Sequence, residues 1–200
     1  MENLVPTLAD RSLADRRETY ATEIRALLDA ALTVMRREET IDPRVSDIVR
    51  TAGLSNQAFY RHFRGKDELL VALLDDGRQR LVATIERRMA GAKAKGPAGQ
   101  VRAWVEVVLA QARDPEAAAA TRPFAINGDR LAVEFPDETR RSRDRLVEPL
   151  RAVVSDADAL AIYHLTMGTV HDALVHRHTP TRAEVDRLVA FALRGSGIGT

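Results

Sequence analysis

Apolar residues recur at three- and four-residue steps along most of the chain, which is the spacing of amphipathic helices. No segment alternates between apolar and polar positions as a half-buried strand does, so the chain is predicted to be all-α. Residues 1–16 and 124–136 show no clear period, and they are predicted to be a loose start and a loop with room for one helical turn. The pattern predicts about nine helices, over residues 18–38, 43–52, 56–63, 66–90, 98–113, 115–122, 137–154, 157–178 and 181–194.

Two short predicted helices meet at a tight turn in the segment "DPRVSDIVRTAGLSNQAF". Asp42 and Pro43 have the residue types of a helix cap and a first helical position. Gly53 suits the left-handed residue that ends a helix, and Ser55 suits the cap of the helix that follows. This spacing is that of a helix-turn-helix, with an N-terminal unit of three helices.

The second helix of such a motif lies in the DNA major groove and presents its first turns to base edges. Phe59 and Phe63 are four residues apart and are expected to face inward. Polar residues occupy the remaining positions. Base reading is predicted for Ser55, Asn56 and Gln57, phosphate contact for Tyr60, His62 and Lys66, and longer-range attraction for Arg61 and Arg64.

Composition and charge narrow the function classes. The 200 residues carry a net charge of +1, but the stretch from Arg44 to Lys66 holds five cations and one acid, which suits phosphate contact. The chain has no Cys, which excludes disulfides, thiol catalysis and zinc ribbons and fits a cytoplasmic location. A secretory signal and an apolar run of about 20 residues are both missing from the sequence, so no membrane is expected.

The segments "LLDAAL" (27–32) and "VSDIVRTAGLSNQAFYRHFRGKDELL" (45–70) resemble the DNA-binding domain of TetR-family transcriptional repressors. The likeness covers about residues 18–75. It implies DNA contacts at Tyr60, His62 and Lys66, base reading near Asn56 and Gln57, and second-helix contacts at Arg44 and Ser46.

The same resemblance implies the organisation of the whole chain. Residues 1–65 are expected to form an N-terminal arm and a helix-turn-helix domain, and residues 66–200 a ligand-binding and dimerisation domain. The expected partners are double-stranded DNA with a palindromic operator, a second copy joined through the last two helices, and an unidentified small-molecule effector. We expect a repressor that the effector releases from its operator, with no cofactor.

An apolar wall with a few polar groups is the usual lining of a small-molecule site. Trp104, Val108, Phe124, Tyr163 and Met167 are predicted to line a ligand cavity in the C-terminal half. For each of them, a place in the plain hydrophobic core is the alternative.

His164, His171 and His178 recur every seven residues. Seven residues span about 10.5 Å along a helix, which is too far for two of them to share one ion, so no metal site is predicted. An enzyme using His171 and Asp172, or His62 and Asp67, is a second hypothesis that no catalytic motif supports. A helical small-molecule- or metal-binding protein without DNA affinity is a third.

Overall fold

The computed structural model describes the backbone of residues 4–198 and the side chains of residues 13–14 and 16–198. Within that range the chain forms α-helices and no strand, which confirms the all-α prediction. Ten α-helices follow one another: α1 Leu4–Glu38, α2 Val45–Ala52, α3 Asn56–His62, α4 Lys66–Gly91, α5 Gly96–Arg113, α6 Pro115–Ile126, α7 Gly128–Glu134, α8 Pro136–Arg151, α9 Asp156–Val175 and α10 Arg182–Gly195. None of these described helices is both long and apolar enough to cross a bilayer.

Two predicted irregular segments are helical. The predicted loose start is wrong from Leu4 onward, because Pro6 lies in the first turn of α1, where a backbone N–H has no intrahelical partner. The predicted stop at Pro123 is also wrong, since α6 continues to Ile126 and the side chain of Asn127 donates to the Pro123 carbonyl oxygen at 2.8 Å. The helix α7 then occupies most of the predicted loop.

The described chain divides into two compact units, residues up to Leu73 and residues from Leu74 onward. In the smaller unit, α1, α2 and α3 pack against one another. Leu27, Val34, Ile48 and Phe59 have no exposed surface and form the centre of its core. The apolar stripe that predicts α1 is therefore the face on which α2 and α3 rest.

The larger unit is built around α5, which packs against α6, α9 and α10, while α8 packs against α9. Five residues of α5 have no exposed surface: Val101, Trp104, Val105, Val108 and Leu109. The indole Nε1–H of Trp104 donates to the Leu146 carbonyl oxygen of α8 at 2.9 Å. A capping box begins α10, in which Thr181 and Glu184 each bond the other's backbone N–H.

Candidate nucleic-acid interface

The turn between α2 and α3 fixes where the third helix starts. Gly53 has a φ of 67°, the left-handed conformation that glycine adopts without steric cost. The N–H of Leu54 donates to the Val49 carbonyl oxygen at 2.9 Å and closes the turn. The Ser55 hydroxyl oxygen then accepts from the Ala58 N–H at 3.1 Å, which caps α3 as predicted.

The helix α3 has one apolar face and one polar face. Phe59 is completely buried, Ala58 and Phe63 nearly so, and the two phenylalanine rings pack with centroids 5.6 Å apart. Tyr60 turns the other way and leaves 61 % of its surface exposed. Ser55, Asn56, Gln57 and Arg61 are exposed beside it. The inward prediction for the two phenylalanines is confirmed, and the outer face consists of hydrogen-bonding side chains.

His62 differs from its expected position. Its side chain is only 3 % exposed, its ring nitrogen Nε2 is hydrogen-bonded to the Glu23 carboxylate at 2.5 Å, and Tyr20 packs edge-on against it. An imidazole held inside by α1 does not fit the expected phosphate contact, because it would first have to leave Glu23. The geometry makes His62 a residue that positions α3 on α1.

Sequence reasoning did not single out Glu23 and Tyr20. Both lie on the side of α1 that carries Leu27, at three- and four-residue steps, which is a signal that they face another element. Nothing in the local pattern identifies His62 as the partner of Glu23, since the two residues are 39 positions apart.

Four of the five predicted cations have a carboxylate partner on the surface. Lys66 pairs with Asp42, Arg50 with Asp47, Arg61 with Glu23 at 3.3 Å, and Arg64 with Glu68 at 3.3 Å. Hydrogen bonds from the backbone and side chain of Arg64 lower the pKa of Glu68. The pairs of Lys66 with Asp42 and of Arg64 with Glu68 are exposed on both sides, and such pairs stabilise a fold by at most about 1 kcal/mol, so phosphates can replace these carboxylates at little cost.

Arg44 is the fifth cation, and it has no ion pair among the described residues. It precedes α2 in an extended conformation, so the predicted helix start at Pro43 is two residues early and Asp42 is not the cap. The Asp42 N–H instead donates to the Thr40 hydroxyl at 3.0 Å. Ser46 follows on the first turn of α2 and is exposed. Both predicted contact residues of this helix therefore have free surface.

Some of the predicted ligand residues lie in the hydrophobic core of the larger unit, and the others are half-buried. Trp104 and Val108 have no exposed surface and belong to the hydrophobic core of the larger unit. Tyr163 and Met167 are half-buried and pack against that core from α9, and Phe124 is half-buried on α6. A ligand that reached Trp104 would have to displace core side chains.

The histidine series is not continuous along one helix. The helix α9 ends at Val175, and Arg177 has a φ of 56°, so His178 lies beyond the helix and out of line with His164 and His171. His176 and His178 lie 3.0 and 3.9 Å from the exposed Asp172 carboxylate. Within the described part of the chain, no group of three or more His, Asp or Glu side chains has the arrangement of a metal site.

Known proteins share this sequence and fold. Residues 27–73 match the family described as bacterial regulatory proteins, tetR family. The HTH-type transcriptional regulator BetI of Agrobacterium fabrum (strain C58) is 30% identical over 180 residues, which are 84% of this chain and 82% of that protein. The BetI protein of Rhizobium meliloti (strain 1021) is 33% identical over 68% of each chain.

Among solved structures, the transcriptional regulator SCO7518 from Streptomyces coelicolor A3(2) superposes with a TM-score of 0.72 at 18% identity. The match covers 87% of this chain and 98% of that one, and it supports the fold. The BetI relatives and the matched motif lead to one assignment. The chain belongs to the tetR family of bacterial regulatory proteins and is a transcriptional regulator.

Proposed function

We propose that the protein is a dimeric repressor that binds a palindromic operator through α3 and leaves it when a small molecule binds the larger unit. The two-faced character of α3 carries this proposal. Phe59 fixes the helix from below, while Asn56, Gln57 and Tyr60 have free surface on the other side. An exposed helix with amide side chains in its first turn matches the way a recognition helix reads base edges.

The proposed DNA contacts divide into two kinds. Asn56 and Gln57 read base edges near the cap residue Ser55, whose hydroxyl proton is free to donate to the DNA. Phosphate contacts come from Tyr60, Arg61 and Lys66 around α3 and from Arg44 and Ser46 at the start of α2. His62 supports these contacts indirectly by holding α3 on α1 through Glu23.

A second copy is proposed to join through α9 and α10. Along α9, Ala161, Leu165 and Gly168 follow one another on an exposed side, and Phe191 of α10 has 61 % of its surface exposed. Small residues beside large apolar ones allow two helix pairs to approach closely in a four-helix arrangement. Two reading helices about 34–36 Å apart would then meet successive turns of the major groove.

The proposed functions are assigned to two parts of the chain, with the boundary predicted from the sequence. Residues 1–65 are proposed to be the arm and the DNA-binding domain, and residues 66–200 the domain for ligand binding and dimerisation. Trp104, Val108, Phe124, Tyr163 and Met167 remain the proposed surroundings of the ligand, and Phe124, Tyr163 and Met167 are the half-buried members of this set. A regulator of this kind acts where the DNA is, and we therefore propose a cytoplasmic location.

Two experiments test the proposal. Bound sequences are first selected from random duplex DNA, and binding to the selected sequence is then titrated at several salt concentrations. We expect a palindrome whose affinity falls steeply with salt. Lys66→Ala should reduce the slope of log K against log salt by about 0.9 for each phosphate that the variant leaves without its cation. Asn56→Ala should relax preference at one base pair per half-site, a change of about 1–3 kcal/mol.

Arg80→Ala is the matched control, since Arg80 is exposed on α4 and pairs only within its own helix. It should leave both the slope and the base preference unchanged. If no sequence is enriched and binding is insensitive to salt, the protein is a helical binding protein without DNA affinity. If both Lys66→Ala and Asn56→Ala bind the selected palindrome as the unmodified protein does, the assignment of the reading surface is wrong.

A further inference from the structure

The helix α1 continues well beyond the part that belongs to the hydrophobic core. Leu27 is completely buried and Ile24 is half-buried, whereas Tyr20 and Leu13, nearer the N-terminus, are 45 % and 52 % exposed. These four residues follow one another at steps of three, four and seven, so they share one side of the helix. We call this the inner side of α1, and its N-terminal part is exposed.

Tyr20 marks the point where α1 passes the end of α3. Its ring packs edge-on against His62, the last residue of α3, with centroids 5.1 Å apart. The guanidinium carbon of Arg61 lies 5.9 Å from the centre of the same ring, which is within the range of a cation–π contact. The inner side of α1 therefore meets the C-terminal end of the proposed reading helix at Tyr20, next to Arg61.

Two arginines lie one turn further along this inner side. Arg16 and Arg17 precede Tyr20 by four and three residues, and residues at these steps share a helix face. One turn rises about 5.4 Å, so both arginines start close to the Tyr20 ring that Arg61 covers. Both are exposed, and neither makes an ion pair or a hydrogen bond with another described side chain.

The described acids nearest to these arginines do not neutralise them. Glu23 is hydrogen-bonded to His62 and pairs with Arg61 at 3.3 Å. Glu18 is two residues from Tyr20, which is about 200° of rotation, so it lies on the opposite side of α1. Arg16 and Arg17 therefore add positive charge beside α3, which suits an anionic partner.

We propose that Arg16 and Arg17 bind DNA phosphates beside the bases that α3 reads, so that α1 extends the DNA-binding surface. A major groove about 12 Å wide has a phosphate backbone on each side. The seven residues of α3 span about 10.5 Å, so a cationic surface that continues from the end of α3 lies near one backbone. This inference rests on the proposed function, because it takes α3 to be the reading helix.

Phosphates suit this surface better than base edges do. A guanidinium group forms paired hydrogen bonds with phosphate oxygens, and two adjacent arginines can reach two phosphates. Residues 13–25 contain no Asn or Gln, the side chains that read adenine edges. Contacts to phosphate position a protein on the duplex and carry no sequence information. We therefore expect α1 to add affinity and salt dependence and to leave base preference unchanged.

Salt titrations of the full-length protein on the selected palindrome, with flanking duplex on both sides, test this inference. Arg16→Gln and Arg17→Gln should each reduce the slope of log K against log salt by about 0.9, and the double variant by about 1.8. Ethylation interference then maps the phosphates that each protein needs. The double variant should no longer need some phosphates that the unmodified protein needs, while its base preference should be the same.

Arg25→Gln is the matched control, because Arg25 is an exposed arginine of the same helix, seven residues from Glu18 and on that opposite side. It should keep the slope and the ethylation pattern of the unmodified protein. All of these variants should melt at the same temperature as the unmodified protein, since the replaced side chains are exposed. Sedimentation of the double variant without DNA should also be unchanged.

The inference is overturned if Arg16→Gln and Arg17→Gln keep the slope of Arg25→Gln, or if the double variant needs the same phosphates as the unmodified protein. A changed base preference would mean that α1 reads bases, and a smaller sedimenting species would mean that its inner side joins two copies. Either result also overturns the inference.

Lys66→Ala distinguishes this inference from the proposed function. A reduced slope in Lys66→Ala, with no reduction in the two α1 variants, removes this inference alone. Failure of the unmodified protein to bind any duplex removes the proposed regulator and this inference together.

Discussion

Charged residues are used differently in the two units of the molecule. Around α3 the cations Arg61, Arg64 and Lys66 are exposed, and each pairs with a carboxylate. In the larger unit Arg78 is half-buried on α4 and shares the negative charge of Asp75 with Arg145. An exposed pair exchanges one anion for another at little cost. The exposed arrangement around α3 therefore suits reversible phosphate contact.

The hydrophobic support differs as well. In the larger unit, α5 alone contributes five residues without exposed surface. The reading helix α3 has only one, Phe59, flanked by Ala58 and Phe63. The proposed DNA-binding surface therefore depends mainly on the buried ring of Phe59, and this dependence gives the largest expected effect of a substitution.

Phe59→Ala should lower the free energy of unfolding by about 3–5 kcal/mol, because it removes a fully buried aromatic side chain and leaves a cavity. Urea denaturation of the purified protein measures this change. The control is Tyr60→Ala, which removes a neighbouring, largely exposed ring and should change stability by less than about 1 kcal/mol. Similar losses for the two variants would show that α3 does not rest on Phe59.

Glu23→Ala should lower the free energy of unfolding by about 1–3 kcal/mol, because the buried ring of His62 would lose its hydrogen-bond partner. Operator affinity should fall with it, because α3 would no longer be fixed to α1. Glu38→Ala is a suitable control, as Glu38 lies on the same helix and pairs only with the adjacent Arg37. Equal unfolding midpoints for the two variants would contradict the positioning role of Glu23 and His62.

The smallest effect concerns an outer ion pair of the larger unit. Arg102 donates to Asp186 at 2.6 Å and so lowers the pKa of this carboxyl below its ordinary value. The resulting stabilisation is present above the pKa of Asp186 in the unfolded chain and is lost as pH falls through its folded value. Asp186→Asn should lower the melting temperature slightly at pH 7, and the difference should shrink steadily as the pH falls through the acid range.

Asp29→Asn provides the comparison for this pH series. Asp29 is exposed on α1 and has no ion pair within the described range. Its substitution should leave the melting temperature unchanged throughout the series. A difference between the unmodified protein and Asp186→Asn that does not shrink as the pH falls would contradict the assigned cause.

Local chemistry explains which features the sequence predicts correctly. Gly53 and Ser55 act on backbone groups within a few residues, so their roles follow from residue type and spacing alone. The burial of Phe59 and Phe63 follows from helical period in the same way. These features depend on no partner that is distant in the chain.

Features that depend on contacts between residues distant in the chain are not predicted from the sequence. Pro123 does not end α6, since the helix loses one backbone hydrogen bond there and continues against the rest of the unit. His62 is hydrogen-bonded to Glu23 through a contact between α1 and α3 that no local pattern encodes.

The placement of α3 in the groove is tested most directly by cutting DNA from the helix itself. The chain has no cysteine, so Gln57→Cys introduces a single thiol that can carry an iron–EDTA group. Bound to the selected palindrome, this protein should cut at two major-groove positions about 34–36 Å apart, while the same group attached through Arg113→Cys in the larger unit should not. Cleavage that is uniform along the duplex, or no stronger from Gln57→Cys than from Arg113→Cys, would contradict the account.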